Sequence, residues 1–477
     1  MGAAMLAVPV VVSAETLMEA LTKAYISNPT LTAARAEQRG TDESVAISKA
    51  AGRPSAQVDG TFSEQIVRTG QLSQGVILQT TPKRSLGAQG QINVPLYSGG
   101  SVRNDINASK LRVEAGQNNL RGTEASIFSR VVGAYMDVIR DSQIVLLSTQ
   151  NVKALEVNLR ASSDRFEVGD LTRTDVAQSE SRLALARSDL QQAQAQLIAS
   201  KENYTALVGT PPVVLEEPPQ LPGLQETPDA AVSIALADNP DIRAAQKSRD
   251  ASRFDVKAAR GQIAPRLSAF AQGAYTNFLD SQNRAFTPDT NKSATVGASI
   301  TLPLYQGGRP AAAERQAVAR ESAAIERTVE VERGVISQVR AAFASWRASL
   351  ETIESTRVAV RATALSLEGV KAENSVGTRT ILEILNAEQE ALNARVQLVS
   401  AQRNAYVAAF TLLAAMGHAE AQDLGLDPSI LYDSGANYAR VRNKFIDFDF
   451  DPHPVGVSTL TRNSPVQQST PIIVPGY

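Results

Sequence analysis

The chain is written twice, and that repetition constrains its fold more than any other feature. Val94 to Gly100 reads VPLYSGG and Leu302 to Gly308 reads LPLYQGG, 208 positions later (302 minus 94). The same spacing carries Val168-Gly169 onto Val376-Gly377 and Leu207-Val208-Gly209 onto Ala415-Met416-Gly417. A spacing of 211 (240 minus 29) takes Ser27-Asn28-Pro29 to Asp238-Asn239-Pro240 and Pro54 to Pro265, so a three-residue length difference falls between Pro54 and Val94. Repetition on this scale means two units of one plan. Between them, Pro211 to Pro228 holds six prolines and reads as a linker, neither helix nor central strand. The boundaries expected are 15–210 for the first repeat, 211–227 for the linker, 228–417 for the second repeat, and 418–477 for a C-terminal segment with a partly disordered tail.

Each half reads as helix, strand, loop, strand, very long helix, tight turn, helix. From Gly100 to about Arg165 no proline interrupts roughly 65 residues, which as helix extend about 100 Å at ~1.5 Å per residue. No globular core needs such a rod. Apolar residues recur every seven positions at Val131, Val138, Val145, Val152, Leu159 and Phe166, and again at Val339, Trp346, Ile353, Val360 and Leu367. The next helix carries Val176, Leu183, Leu190, Leu197 and Tyr204 in one seam, with Ala186, Ala193 and Ser200 in the adjoining one. A sustained seven-residue period predicts supercoiled helices, and the small residues let neighbours approach closely.

Period two marks the segments between the helices. Leu86, Ala88, Gly90, Ile92, Val94 and Leu96 alternate with Gly87, Gln89, Gln91 and Asn93; Ala294, Val296, Ala298, Ile300, Leu302 and Leu304 alternate with Thr295, Gly297, Ser299 and Thr301. Ala56 to Ile66 and Leu267 to Phe278 are their expected partners. Such strands fit a membrane barrel with an oily face to lipid and a polar face to a wet lumen, and alternation alone fits a soluble sandwich equally well. Chain economy separates the two. Four strands cannot close a barrel, eight leave no duct, and open edges are not tolerated in lipid, so three copies sharing twelve strands make the smallest conducting assembly. Tyr97 and Tyr305, at equivalent strand ends, suit an interfacial aromatic belt. The strand-to-strand turns, Gly70 to Pro82 and Asp280 to Asn291, are expected on the far side of the membrane.

Composition then excludes other classes. A net charge of −2 without a long basic run lacks the footprint of a nucleic-acid binder, and the absence of cysteine removes disulfides, thiolate sites and lipoprotein acylation. No run of eighteen apolar residues exists to form a membrane helix. Residues 1–14 read as a signal peptide, apolar from Ala3 to Val12 and ending in small residues at Ala14, although no Lys or Arg precedes the apolar run. His418, after Gly417, is expected as a helix C-cap. Asp447, Asp449 and Asp451 alternate with Phe448 and Phe450; three carboxylates on one strand face would suit a cation, and a solvated edge is the plainer reading. Neither SGG nor QGG has the lysine or spacing of a phosphate loop. No catalytic constellation, metal site or cofactor is expected.

The quoted motifs, together with LMEALTKAYISNP (Leu17 to Pro29), RFEVGDLTRTDV (Arg165 to Val176) and SVGTRTILEIL (Ser375 to Leu385), resemble the TolC-like outer-membrane efflux proteins, most closely those of type I secretion. The resemblance covers nearly the whole chain. It implies an all-α coiled-coil tunnel joined to a transmembrane β-barrel: a homotrimer with a 12-stranded barrel, four strands per protomer, a 12-helix periplasmic α-barrel, and an equatorial belt of linker and C-terminal segments. Implied partners are outer-membrane lipid, a periplasmic adaptor (membrane fusion) protein, an inner-membrane ABC or RND transporter, and a protein or drug cargo. A gate is implied at the hairpin turns, with Thr174 and Asp175 from the first half and Arg379 from the second; Glu383 stands where aspartate is common, and Asn374 and Asn386 depart from a tyrosine and an aspartate. Adaptor docking is implied at the tips Glu167, Val168, Gly169 and Ser375, Val376, Gly377. The barrel-to-helix turns fall at Pro95, Gly99, Gly100 and Pro303, Gly307, Gly308. Multidrug efflux remains the alternative cargo class, and a trimeric coiled-coil scaffold or adhesin stalk the alternative of another kind.

Overall fold

The computed structural model describes residues 14–67, 70–73, 76–80, 83–279, 289–456 and 460–472. The proposed signal peptide, but for Ala14, and most of the second strand-to-strand turn lie outside them. In the first half, α1 (Leu17–Ser27) and α2 (Pro29–Ala50) lead to β1 (Ser55–Glu64), a small β2–β3 hairpin (Gly70–Ser73, Val76–Thr80) and β4 (Arg84–Ser98), then α3 (Ser101–Glu167) and α4 (Arg173–Val208). The second half repeats this with α5 (Pro228–Asp238), α6 (Pro240–Arg260), β5 (Arg266–Phe278), β6 (Thr290–Thr301), α7 (Arg309–Ser375) and α8 (Ile381–Met416), followed by the short α9 (Ser434–Val441).

Two helices, not the single one expected, precede the strands of each half. Asn28 and Asn239 make the break. Each ends one helix and caps the next, accepting from two backbone N–H groups (Thr30 and Leu31; Asp241 and Ile242), while the following proline takes the first helical position, where it has no N–H to lose. Asn28 Nδ2 also donates to Leu207 O and Asn239 Nδ2 to Ala415 O, both at 2.9 Å, so the break is bolted to the end of the returning helix in each half. Where a plain loop is expected at Gly70 to Pro82, β2 and β3 pair instead.

The sheet order is β1-β4-β5-β6, all antiparallel. Register carries the alternation across the strands: Gln57, Gln91, Gln272 and Thr295 are aligned on one face, and Val58, Gly90, Gly273 and Ala294 on the other. The apolar side stays uncovered in the protomer, with Val58, Phe62, Ile92, Val296 and Ile300 exposed. Expected strand through Leu304 stops at Thr301, because β5 begins at Arg266, opposite Thr301, and β6 has no second partner among the described residues. β4 continues to Ser98 through a bulge between Pro95 and Tyr97. Tyr97 and Tyr305 are both exposed.

The helices next to the sheet follow the same order, α2 against α3, α3 against α6 and α6 against α7. β1 and α2 form one open edge of the protomer; β6 and α7 form the other. α3 and α7 each run 67 residues, about 100 Å at ~1.5 Å per residue, and return through the 36-residue α4 and α8. Among the described residues no helix is long and apolar enough to cross a membrane.

The largest apolar cluster gathers α1, the middle of α3, the ends of α4 and α8, Leu215 of the linker and Ala419, Ala421 and Leu426 beyond α8. Tyr135 ties this belt together, its hydroxyl donating to Glu15 O at 2.8 Å and Glu216 O at 2.6 Å. The C-terminal segment is held against this region at two places: α9 lies along α2 through Asn437 and Asp42, and Leu215 N donates to Ile472 O at 3.0 Å.

Candidate functional site

The two hairpin tips, farthest along the helices from the sheet, are built alike. At the first, Gly169 adopts φ +82° and its N–H donates to Phe166 O; at the second, Gly377 adopts φ +80° and donates to Asn374 O. A left-handed residue lets the chain reverse after a helix, and glycine does so without a Cβ clash. Capping boxes then restart the helices. Thr172 accepts from Asp175 N and the Asp175 carboxylate accepts from Thr172 N at 2.9 Å; Thr380 and Glu383 repeat the exchange, with Thr380 N to Glu383 Oε2 at 2.8 Å. Asp175 and Glu383 are the same position in the two repeats, 208 apart.

The tips differ in charge pairing. In the first, Arg165 Nη2 meets Asp170 at 2.6 Å. In the second, Arg379 is held twice, by Glu373 (2.7 Å) and by Glu383 (2.6 Å), and Asn374 Nδ2 donates to Arg379 O at 2.6 Å. Hydrogen bonds from Thr380 and from Arg379 lower the Glu383 carboxyl to about 2, while those from Thr172 lower that of Asp175. Glu373 and Glu383 hold the Arg379 guanidinium above its ordinary value.

Of the residues implied as a gate, Arg379, Asn374 and Glu383 therefore form one cluster. Arg379 does not meet Asp175 within the protomer, because each hairpin satisfies its own charges; Asp175 serves the cap of α4, and Thr174 is exposed in that helix's first turn. Asn386 is the member that crosses between hairpins, its Oδ1 accepting from Arg182 Nη2 at 2.7 Å. Val168 and Val376 stand exposed at the tips beside Glu167 and Ser375.

A buried crossing point behind the tips was missed by sequence reasoning. Glu388 of α8 is buried, pairs with Lys371 of α7 at 2.9 Å and accepts from Asn158 of α3 at 2.8 Å. Above it, Val152, Leu155, Leu183, Ala186, Ile381, Ile384 and Leu385 form one apolar cluster from both hairpins. The signal lay in a carboxylate among the closely packed Leu385, Ala387 and Ala391 of α8. The T-x-x-D and T-x-x-E capping signatures were equally readable.

At the opposite end, Gly99 and Gly100 (φ +66° and +80°) and Gly307 and Gly308 (φ +61° and +81°) turn the chain from sheet to helix, with Pro95 at the bulge of β4 and Pro303 just past β6. A Cβ on Gly99 would collide with Gly261 O, so glycine is required there. His418 departs from the expected side-chain cap: its backbone N–H closes α8 on Leu413 O, and its ring turns to Asp238 at 3.4 Å. The Asp/Phe segment is not a strand; Asp449 pairs with Lys444 and Asp451 with Arg440.

A four-stranded sheet with an oily outer face and open edges, joined to long helical hairpins in the same lateral order, defines a protomer of a channel that spans a membrane by a shared barrel. The chain belongs to the Outer membrane efflux protein family, whose profile matches residues 20–210 and 231–418. It is 33% identical over 432 residues to the outer membrane efflux protein BepC of Brucella suis, covering 90% of this chain and 91% of that one. It is 26% identical over 297 residues to the alkaline protease secretion protein AprF of Pseudomonas aeruginosa, covering 59% of each. The crystal structure of the outer membrane protein VceC from Vibrio cholerae matches with a TM-score of 0.71 at 20% identity, over 84% of this chain and 96% of that one. Proteins of this family are passive outer-membrane channels with a long periplasmic tunnel, not enzymes; they form homotrimers and work with periplasmic adaptors and inner-membrane transporters.

Proposed function

We propose that this outer-membrane channel is the exit duct for type I protein secretion, gated at its periplasmic tips by the Arg379 cluster and engaged there by its adaptor. The relation to AprF, a protease secretion protein, is the observation that carries the cargo class. Drug efflux is the second reading, favoured by the greater identity to BepC, an efflux protein. Val168 and Val376, exposed at equivalent places in the two tips, are what a helical partner docking there would cover. In the resting trimer, converging tips bring Arg379 and Asp175 of different protomers within reach, and an adaptor that competes for Glu373 or Glu383 frees Arg379 to move. Photo-cross-linkers at Glu167 and Ser375, followed by mass spectrometry of the captured complex, test both parts. An adaptor co-purifying with an ABC transporter is expected; an RND transporter selects drug efflux, and adaptor capture only from positions in the strand loops overturns docking at the tips.

A further inference from the structure

Where β5 begins and α7 starts, a cavity of about 660 Å³ opens between α3 and α7 across α6. Arg112, Arg266, Arg309 and Arg320 line it, with Asp105 and Asp255 as its only carboxylates. Arg112 is taken by Asp255 at 2.5 Å. Desolvation and the neighbouring Asp255 push the Asp105 carboxyl up from its ordinary value, and Asp105 forms no ion pair with the cavity's arginines. Among the described residues, Arg266, Arg309 and Arg320 pair with no carboxylate. An adjoining stripe of α6 and α7 shows the contrast, for there Arg253 meets Glu321 at 3.6 Å and Arg260 meets Glu314 at 2.7 Å. Within the cavity, three arginines are thus left without a carboxylate, whereas these two neighbours each have one.

Its direction follows from the strand. Arg266 shares the face of β5 that carries Ser268 and Gln272, the polar side of the sheet, so the cavity opens toward the lumen. We propose that it binds multivalent oxyanions, phosphate-bearing or polycarboxylate solutes in transit, at the junction of barrel and tunnel, once per protomer. Guanidinium forks match such groups in geometry as well as charge, and Gln262, Gln306 and Gln316 add neutral donors on the same wall. The fully solvated position suits weak, reversible capture that does not arrest transport.

The inference rests on the channel reading, and planar-bilayer recording separates the two. Pyrophosphate added to wild-type trimers in KCl is expected to reduce or interrupt the current with rising concentration. In R266Q/R309Q/R320Q, checked as a heat-modifiable trimer, the same block should require about tenfold more, three charge-assisted contacts having been weakened. R253Q/R260Q, which removes the paired arginines, should block like wild type. If the triple variant fails to assemble, R320Q alone should shift the block about threefold. Equal block in wild type and the cavity variant, or open wild-type channels without block, overturns the site; wild-type trimers that never conduct overturn the channel reading beneath it.

Discussion

α3 and α7 have the same length and stand in equivalent places of the two repeats, yet α3 buries residues from Ala108 to Ser162 while α7 buries only Thr328, Val335, Val339 and Ala342. Helix quality does not explain this, for both carry the heptad pattern. Position does. α3 lies inside the protomer, flanked by α2 and α6 near the sheet and by α4 and α8 toward the tips, whereas α7 is the edge helix and leaves Val318, Ile325, Val358 and Leu365 exposed. The sheet repeats the lesson, β4 and β5 being paired on both sides and β1 and β6 on one. What looks like a poor half of the molecule is the surface on which the next copy completes the tunnel.

The most drastic way to break that comparison is to charge the open edge. V358D/L365D should abolish the trimer, converting native mass in detergent to monomer with helical circular dichroism retained; a normal trimer would show that α7's apolar edge faces something other than a neighbour. A smaller effect sharpens the contrast in packing. Phe128 of α3 is fully buried with Tyr25 at 6.1 Å, and the equivalent position in α7, Ile336, is only partly covered. Phe128→Ala should cost about 3–5 kcal/mol, the range for a truncated core aromatic, and Ile336→Ala about half that or less, read from denaturant unfolding in detergent. Equal losses would mean that the two repeats are equally supported.

The smallest expected effect compares the tips. Arg379→Ser should raise single-channel conductance without lowering the thermal stability of the trimer, because all its partners are exposed, while Arg165→Ser in the first tip should leave conductance unchanged. Acid alone should not reproduce this. The Glu383 carboxyl is depressed in the folded state, so the stability it supplies is present above its ordinary value of 4.5 and is lost as pH falls toward about 2; conductance should hold from neutral pH to about 5. Opening in that interval would place the latch on another group.

Periodicity, proline placement and repetition made most of this architecture legible. The seven-residue spacing of Val131, Val138 and Val145 gave the rods and the period-two run from Leu86 gave a strand with one oily face, because each is a local consequence of backbone geometry; that the strands form a barrel came from chain economy and the family resemblance, and the turns at glycines 99, 100, 307 and 308 came with that resemblance. Local pattern also went unread, since Asn28-Pro29 and Asn239-Pro240 mark helix breaks by ordinary capping rules.

Side-chain partnership needed the fold. The pairing of Arg379 with Glu373 and Glu383 depends on which rotamers a hairpin turn brings together, and Arg182 meets Asn386, 204 positions away, only because two hairpins pack side by side. Glu388 becomes a crossing point only when Asn158 and Lys371 arrive from other helices. By itself the sequence determined the periods, and hence the kind of element and the face each presents, since these are set within a few residues. The tertiary structure alone decided which charges are satisfied, which edge stays open and where unpaired arginines gather, since those depend on how turns and helices, some of them about 200 positions apart, are set against one another.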